Sequence, residues 1–281
     1  MNLPARGMVE MVKNLRCQLR RGVILWNAVA PVVALVLLLR GHGWLALAIL
    51  MSAHALWLLP TLWPACDWLG EVVCTLKGAR DGRQERPYDE DAKEVWLTID
   101  DGPDPVDTPL LLDLLDQYGA RATFFFIGAR ARNHPELVGE VLRRGHTVGN
   151  HTLNHVQYWF WAFGPSGVAR EVGGCQQVLT DLSDGDAPRW FRAPAGFKNP
   201  LVQAEVERKG LRLAGWSARG RDGVIKDQDV ILSRLTSGVK PGAILLMHEG
   251  RDDGQGGRLA PQVLEKLLTW LRQHGYRCVL P

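Results

Sequence analysis

Residues 95–105 read Val-Trp-Leu-Thr-Ile-Asp-Asp-Gly-Pro-Asp-Pro, VWLTIDDGPDP. An apolar, β-prone run stops at two adjacent carboxylates, and Gly102-Pro103 then breaks regular structure. Asp100 and Asp101 side by side at a half-buried strand end repel each other. Burying them is costly unless something positive sits between or beside them, either a metal ion or a fixed arginine. Polar groups at the carboxyl end of a strand are where α/β proteins keep their chemistry. The doublet therefore decides the fold, provided the rest of the chain alternates strand and helix.

From Ala92 onward it does. Strand-like runs lie at Val95–Ile99, Ala122–Ile127, Thr147–Val148, Trp190–Phe191, Leu211–Ala214, Ala243–Met247 and Arg277–Leu280. Helical spacing appears over Thr108–Tyr118, Pro135–Arg144, Val168–Leu182, Pro200–Lys209, Asp227–Leu235 and Pro261–Gln273. Such alternation predicts a parallel α/β sheet, open or closed into a barrel. The segment 92–281 is long enough for one core.

The front of the chain is of another kind. Gly22–Leu39 (GVILWNAVAPVVALVLLL) carries no charge and as a helix would span about 27 Å, close to one hydrocarbon core. After Arg40-Gly-His-Gly43, the run Trp44–Pro64 is again without formal charge, and Trp44, Trp57, Trp63 and Trp68 lie where interfacial anchors lie. The expected organisation is a basic amphipathic segment at 1–21, two membrane-spanning helices at 22–68, a polar linker at 69–91 and a catalytic domain at 92–281. A signal peptide is the rival for the first span, disfavoured by the missing small-residue cleavage motif. A peripheral helix is the rival for the second, which contains Ser52, His54 and Pro60.

Within 1–21, Arg6, Lys13, Arg16, Arg20 and Arg21 accompany Met8, Met11, Val12, Leu15 and Leu19 at helical spacing, a pattern suited to an anionic membrane surface. Lys77, Arg80, Arg83 and Arg86 follow the second span, while the intervening loop has only Arg40. The positive-inside rule puts both ends, and the catalytic domain, in the cytoplasm of a bacterial-type inner membrane. The five cysteines, Cys17, Cys66, Cys74, Cys175 and Cys278, contain no C-x-x-C and are odd in number. A disulfide framework and a cysteine zinc site are disfavoured, and free thiols suit a reducing compartment. A net charge of +3, with no arginine-rich stripe, gives no reason to expect a nucleic-acid partner. Oligomeric state is not legible.

Further polar groups fall at strand ends. In Gly149-Asn-His-Thr-Leu-Asn-His155, His151 and His155 are one helical turn apart. Two histidines and one carboxylate form a common catalytic zinc set. The pair alone would more often be two polar loop residues, and the nearby acids reverse that judgement. Arg192-Ala-Pro-Ala-Gly196 supplies an arginine for the spare aspartate or for a surface ion pair. Trp216-Ser-Ala-Arg-Gly-Arg-Asp222 brings another acid, and Ile244-Leu-Leu-Met-His248 ends an apolar strand in a histidine.

In sequence and order, IDDGP, HTLNH, RAPAG, WSARGRD and LMH resemble the five motifs of the polysaccharide deacetylase family, the NodB-homology enzymes of carbohydrate esterase family 4. The resemblance covers about Glu94 to the C-terminus. It implies a distorted (β/α) barrel of seven or eight strands and a divalent metal, usually zinc, held by Asp101, His151 and His155. It implies Asp100 as general base held by Arg192, and His248 as general acid supported by Asp222. Ala195 would stabilise the oxyanion through its backbone N–H, while Leu246 and Trp216 would line the pocket for the acyl group.

Three positions depart from the family pattern. Ala195 replaces an aromatic, Ile99 a phenylalanine, and Glu249 a common aspartate. Tyr158-Trp-Phe-Trp-Ala-Phe163 is a further addition, either loop core or a substrate- or membrane-facing lip. The expected reaction is hydrolysis of the N-acetyl or N-formyl group of an amino sugar, with a lipid-linked carrier as the favoured context. Cell-wall polysaccharide is the alternative substrate, and a degenerate membrane-bound sugar-binding scaffold the alternative class. Gly215-Trp-Ser-Ala-Arg219 begins like a serine-hydrolase elbow but lacks its last glycine.

Overall fold

Along Glu94–Gly102 successive side chains alternate. Val95, Leu97 and Ile99 join one apolar cluster, while Trp96 joins another, and Thr98 and Asp100 meet at Arg192. Residues 95–102 are all buried, as in a parallel strand covered on both faces. This strand is the axis of the computed structural model, which describes residues 3–80, 89 and 92–281, with side chains from Met11 onward.

The helices are α1 Leu3–Leu39, α2 Gly43–Leu62, α3 Leu76–Ala79, α4 Asp107–Gln117, α5 Gly128–Asn133, α6 Pro135–Arg143, α7 Pro165–Val168, α8 Gly174–Asp181, α9 Pro200–Arg208, α10 Gln228–Ser237 and α11 Leu259–Gln273. The strands are β1 Val72–Val73, β2 Glu94–Gly102, β3 Ala122–Phe126, β4 Thr147–Asn150, β5 Trp190–Phe191, β6 Arg212–Ala214, β7 Ala218–Arg219, β8 Ile244–His248 and β9 Arg277–Cys278. Eight run parallel in the order β1-β6-β5-β4-β3-β2-β8-β7, and β9 pairs with the start of β2. A bridge between Thr75, just after edge strand β1, and Ala243, just before β8, links one edge to the strand next to the other. The result is a half-barrel of eight parallel strands, within the distorted barrel the sequence predicts.

Outward residues of β2, β3 and β8 (Leu97, Ile99, Phe124, Phe126, Leu245 and Met247) pack beneath α4 and α11. Inward residues Trp96, Phe125, Trp190, Ala214 and Ile244 fill the base of the barrel. There the Trp96 and Trp190 rings lie 4.8 Å apart, and Trp96 Nε1 donates to Thr123 Oγ1 at 2.8 Å. With the base plugged, the polar strand ends face the open side of that inner layer.

Two expectations are corrected here. The segment 69–91 is not all linker: β1 lies in register with β6, Val72 opposite Leu213, and Leu76 is fully buried. A two-residue edge strand is too short to show periodicity, so the folded unit was expected to start twenty residues late. Most of Asp81–Asp91, including Arg83, Arg86 and Pro87, lies outside the described residues.

The second correction concerns the basic segment. No break separates residues 3–21 from the first span, since α1 is one continuous helix. Arg16 is 2.5 Å from Asp67, and Arg20, 5% exposed, bonds Glu207 and the Leu69 carbonyl. These two cations satisfy acids of the folded domain, while Lys13, Arg21, Met11, Leu15 and Leu19 of the same helix stay exposed. The side chains of Arg6 and Met8 lie outside those described.

Met11–Leu39 and Gly43–Leu62 are long and apolar enough to cross a membrane. They pack as a hairpin on small residues, Ala30 and Ala34 against Ala46 and Ala53, with Trp26 Nε1 donating to Ser52 Oγ at 3.1 Å. Leu25, Val32, Leu35, Leu38, Leu45 and Met51 face outward, forming more apolar surface than a helix in water ordinarily carries.

Candidate active site

In an unbroken strand Asp100 and Asp101 would point to opposite faces. The ladder between β2 and β3 shifts register between Asp100 and Gly102, and Asp101 takes φ 74°. This bulge brings both carboxylates to the open end. Thr152 (69°), His155 (53°), Ala195 (53°) and Arg221 (62°) also have positive φ. They belong to three other loops at the same strand ends, Thr152 and His155 sharing the one after β4. Each costs about 1–3 kcal/mol, so the surrounding packing must hold them.

Asp101 Oδ1 lies 3.1 Å from His155 Nε2 and 3.4 Å from His151 Nε2. Ligands around a tetrahedral zinc are about 3.3 Å apart, from bond lengths near 2.1 Å. Asp101 Oδ1 is buried and accepts no hydrogen bond, an orphaned acceptor between two imidazole nitrogens. The donor set therefore fits a divalent cation. His151 Nδ1 donates to the Arg192 carbonyl at 2.8 Å, which leaves its Nε2 lone pair facing Asp101. Burial, then the neighbouring His151, lowers the His155 pKa to about 4, so this ring is neutral at physiological pH, as a ligand must be. Burial would raise the Asp101 pKa, but His151, His248 and His155 hold it well below the usual carboxylate range.

Asp100 sits behind this trio, its Oδ2 3.7 Å from His151 Nε2. Arg192, fully buried, donates to Asp100 Oδ1 and Thr98 Oγ1 at 2.8 Å each, and to the Gly215 carbonyl at 2.8 Å. Its guanidinium stacks 4.2 Å over Phe125. Replacing one partner of such a pair leaves a buried charge alone. Arg192→Met is expected to lose about 3–5 kcal/mol of unfolding free energy, measured by denaturant titration. A change under 1 kcal/mol would contradict the pairing.

On β8, His248 lies directly opposite Asp100 in the ladder. Asp222 grips it twice: Oδ1 is 2.8 Å from Nδ1, and Oδ2 accepts the backbone N–H at 2.7 Å. Burial opposes a charge on this ring, but Asp222, with Asp100 and Asp101 behind it, outweighs burial and raises its pKa to about 9. Ala195 lies in a tight turn, Pro194–Gly196, after β5. Leu246 is buried on β8, on the inward alternation with Ile244 and His248. Trp216 is half-buried, with Arg192 on one side and Arg219 5.5 Å away. Ser217 Oγ accepts from the Ile244 N–H at 2.9 Å, a sheet-edge role that leaves the serine-hydrolase reading without support.

The structure adds Arg251, Arg130, Asp107 and Arg258, which the sequence did not single out, and gives Glu249 its place. Arg251 NH2 is 3.3 Å from Asp101 Oδ2, and Arg130 NH1 donates to the Asp101 carbonyl at 2.6 Å. Glu249 is buried under the doublet against Thr108, where burial raises its pKa to about 8. Asp104 and Asp107 both pair with Arg258 beside it. Only the second proline-flanked acid in DDGPDP hinted at this network. The aromatic run divides: Phe160 is buried against Phe163 and Phe191, whereas Tyr158 and Trp159 are 75% and 65% exposed.

A model of the polysaccharide deacetylase family matches residues 88–214. A peptidoglycan-N-acetylglucosamine deacetylase of Bacillus cereus is 36% identical over 197 residues, covering 66% of this chain and 85% of its own. A chitooligosaccharide deacetylase of Bradyrhizobium sp. (strain ANU 289) is 37% identical over 163 residues, 58% of this chain and 74% of its own. Among solved structures, a family 4 carbohydrate esterase from Streptomyces lividans superposes with a TM-score of 0.59 at 28% identity, covering 67% of this chain and 92% of that one. A half-barrel carrying its acids and imidazoles at the strand ends defines the class, a carbohydrate deacetylase. The chain belongs to the polysaccharide deacetylase family, the NodB-homology enzymes of carbohydrate esterase family 4, hydrolases of N-acyl amide bonds.

Proposed function

We propose that this protein removes the N-acyl group, acetyl or formyl, of an amino sugar, using a divalent metal for which zinc is the best fit. The observation that carries the reading is the convergence of three devices. Asp101, His151 and His155 are a cation's ligands, Asp100 is oriented by Arg192, and His248 is held by Asp222. Zinc, when bound, supplies Lewis acidity and a water of lowered pKa. Asp100 takes the water's proton, its other oxygen fixed by Arg192 so that the free one faces the reacting centre. The Ala195 N–H receives the charge that develops on the acyl oxygen. His248, protonated at neutral pH, gives its proton to the departing amine. Leu246 and Trp216 bound the acyl pocket. A sugar-binding scaffold would not need base, acid and ligands together.

The same reading places the enzyme in a bacterial-type inner membrane through its hairpin, with the catalytic domain on the cytoplasmic side. Lys77 and Arg80 follow the second span, and Arg40 alone lies between the spans. An alkaline phosphatase fusion after Pro281 is expected to be inactive; periplasmic activity would overturn the orientation.

For the substrate, the reading is an N-acylated amino sugar on a lipid carrier. Tyr158 and Trp159 are exposed on the loop that follows the two histidines, as an interfacial lip would be. Cell-wall glycan is the second reading, favoured by the relatives' names. The test is one N-acyl sugar offered both lipid-linked and as a soluble oligosaccharide. The Tyr158→Ala, Trp159→Ala double variant is expected to raise KM about tenfold for the lipid-linked form, by loss of interfacial contacts of about 0.7 kcal/mol each. The soluble form should be unaffected. Equal effects on both, or none on the lipid-linked form, would remove the lipid carrier and leave the deacylase standing.

A further inference from the structure

Lys198 lies three residues after Ala195 and is 6% exposed. Among the described residues its ammonium reaches no carboxylate. It donates to the backbone carbonyls of Trp63 at 3.1 Å and Pro64 at 2.8 Å, the groups that close the C-terminus of α2. A cation is favoured at a helix C-terminus, where carbonyls lack partners. Burial lowers the Lys198 pKa to about 8, so the amine stays there against its own desolvation.

A second contact joins the same two parts. Gly196 has φ +76°, and a Cβ there would come within 2.7 Å of both Pro64 Cβ and Trp216 Cη2. The turn backbone is thus pressed between the end of the hairpin and Trp216. On its far side Asn199 Nδ2 donates to the Trp161 and Phe163 carbonyls at 2.7 and 3.0 Å, while Asn199 Oδ1 caps α9. At the other end of α9, Glu207 takes Arg20 of α1. Residues 194–199 are therefore clamped on one side by the hairpin and on the other by the aromatic run. Ala195, a non-glycine at φ 53°, needs such support to hold that conformation.

We infer that Lys198 is a positioning residue that ties the turn carrying Ala195 to the end of the apolar hairpin, making the hairpin part of the oxyanion site as well as an anchor. The inference rests on the reading of Ala195 as oxyanion donor. An anchor alone would leave turnover of a soluble substrate indifferent to the Lys198 contact. A positioning contact acts in the transition state, where a displaced donor lowers kcat and spares KM.

The test uses the full chain in detergent, loaded with zinc, with a soluble N-acetylglucosamine oligomer as probe. Lys198→Met is expected to lower kcat about tenfold or more, short of the 10²–10³-fold for removing an oxyanion donor outright. KM and zinc content should stay within about twofold, and Lys198→Arg should recover most of the rate. Amide hydrogen exchange is read in parallel. Ala195–Phe197 should lose protection in Lys198→Met while His151–His155 keep theirs. Should Lys198→Met fail to fold, Pro64→Ala, which keeps Cβ but removes Cγ from beside Gly196 and frees the backbone at 64, is expected to show the same two changes at smaller size. Unchanged kcat or unchanged exchange at 195–197 overturns the coupling. A wild type that turns over no N-acyl sugar instead overturns the function proposed above, and the exchange measurement then decides the coupling alone.

Discussion

Asp100→Asn is expected to keep its metal and lose about 10²–10⁴ of its turnover, the range a positioned general base contributes. Asp101→Asn, His151→Ala and His155→Ala are expected to lose both. The adjacent acids differ because the bulge at Asp101 gives them different neighbours. Asp101 offers a buried oxygen with no hydrogen-bond donor to the two imidazoles. Asp100 has one oxygen committed to Arg192 and is 3.7 Å from the nearer imidazole. An asparagine at 100 can still present a carbonyl oxygen to Arg192, which keeps its bonds to Thr98 and Gly215, so the fold and the ligand trio survive. What is lost is the ability to take a proton. Metal analysis beside amide hydrolysis reads both. An Asp100→Asn protein with normal turnover, or one stripped of metal, would reverse the assignment of the doublet.

That much of the site was legible because its residues lie at the ends of runs whose periodicity is itself legible. Asp100, His151 and His248 lie at or beside the carboxyl ends of β2, β4 and β8, and strand ends in a parallel sheet converge whatever the loops do. The fold was legible where elements were long: β2, β3, β8, α4 and α11 hold most of the core. It was not legible at β1 and β7, two residues each, which owe their place to the ladder and not to their own pattern. Helix α5 escaped notice too, since it buries only Gly128 and Ala131 and shows no stripe. Arg251 and Lys198 were invisible for a further reason. Their partners are Asp101 and the carbonyls of Trp63 and Pro64, 150 and 134–135 residues away, and no local spacing encodes such contacts. The basic face of α1 was legible as a pattern but not in its use. A stripe that suits anionic lipid suits Asp67 and Glu207 equally well, and only tertiary placement chooses between them.

The second large effect concerns the proton given to the leaving amine. His248→Ala is expected to lower kcat about 10²–10⁴-fold, and Asp222→Asn to change the pH profile in a way that identifies the cause. Burial lowers the His248 pKa, while Asp222 first, then Asp100 and Asp101, raise it to about 9. With a cation on Asp101 the last of these attractions weakens, and the carboxylate of Asp222, 2.8 Å from Nδ1, carries most of the remaining effect. Activity through an acid requires the protonated ring, so it falls as pH rises through that pKa. The wild-type alkaline limb therefore lies between the ordinary imidazole value of about 6.5 and about 9. Removing the Asp222 charge leaves burial opposed only by Asp100 and by what the cation leaves of Asp101, and the limb moves to lower pH, toward about 6.5. Stability follows the same sign. A histidine whose folded pKa is raised contributes fully below its unfolded value and loses that contribution as pH rises through the folded one, so the pair helps most below about 6.5 and fades by about 9. Rate against pH for both proteins decides the matter. A limb that stays in place in Asp222→Asn would mean that another group titrates there, and that His248 does not deliver the proton.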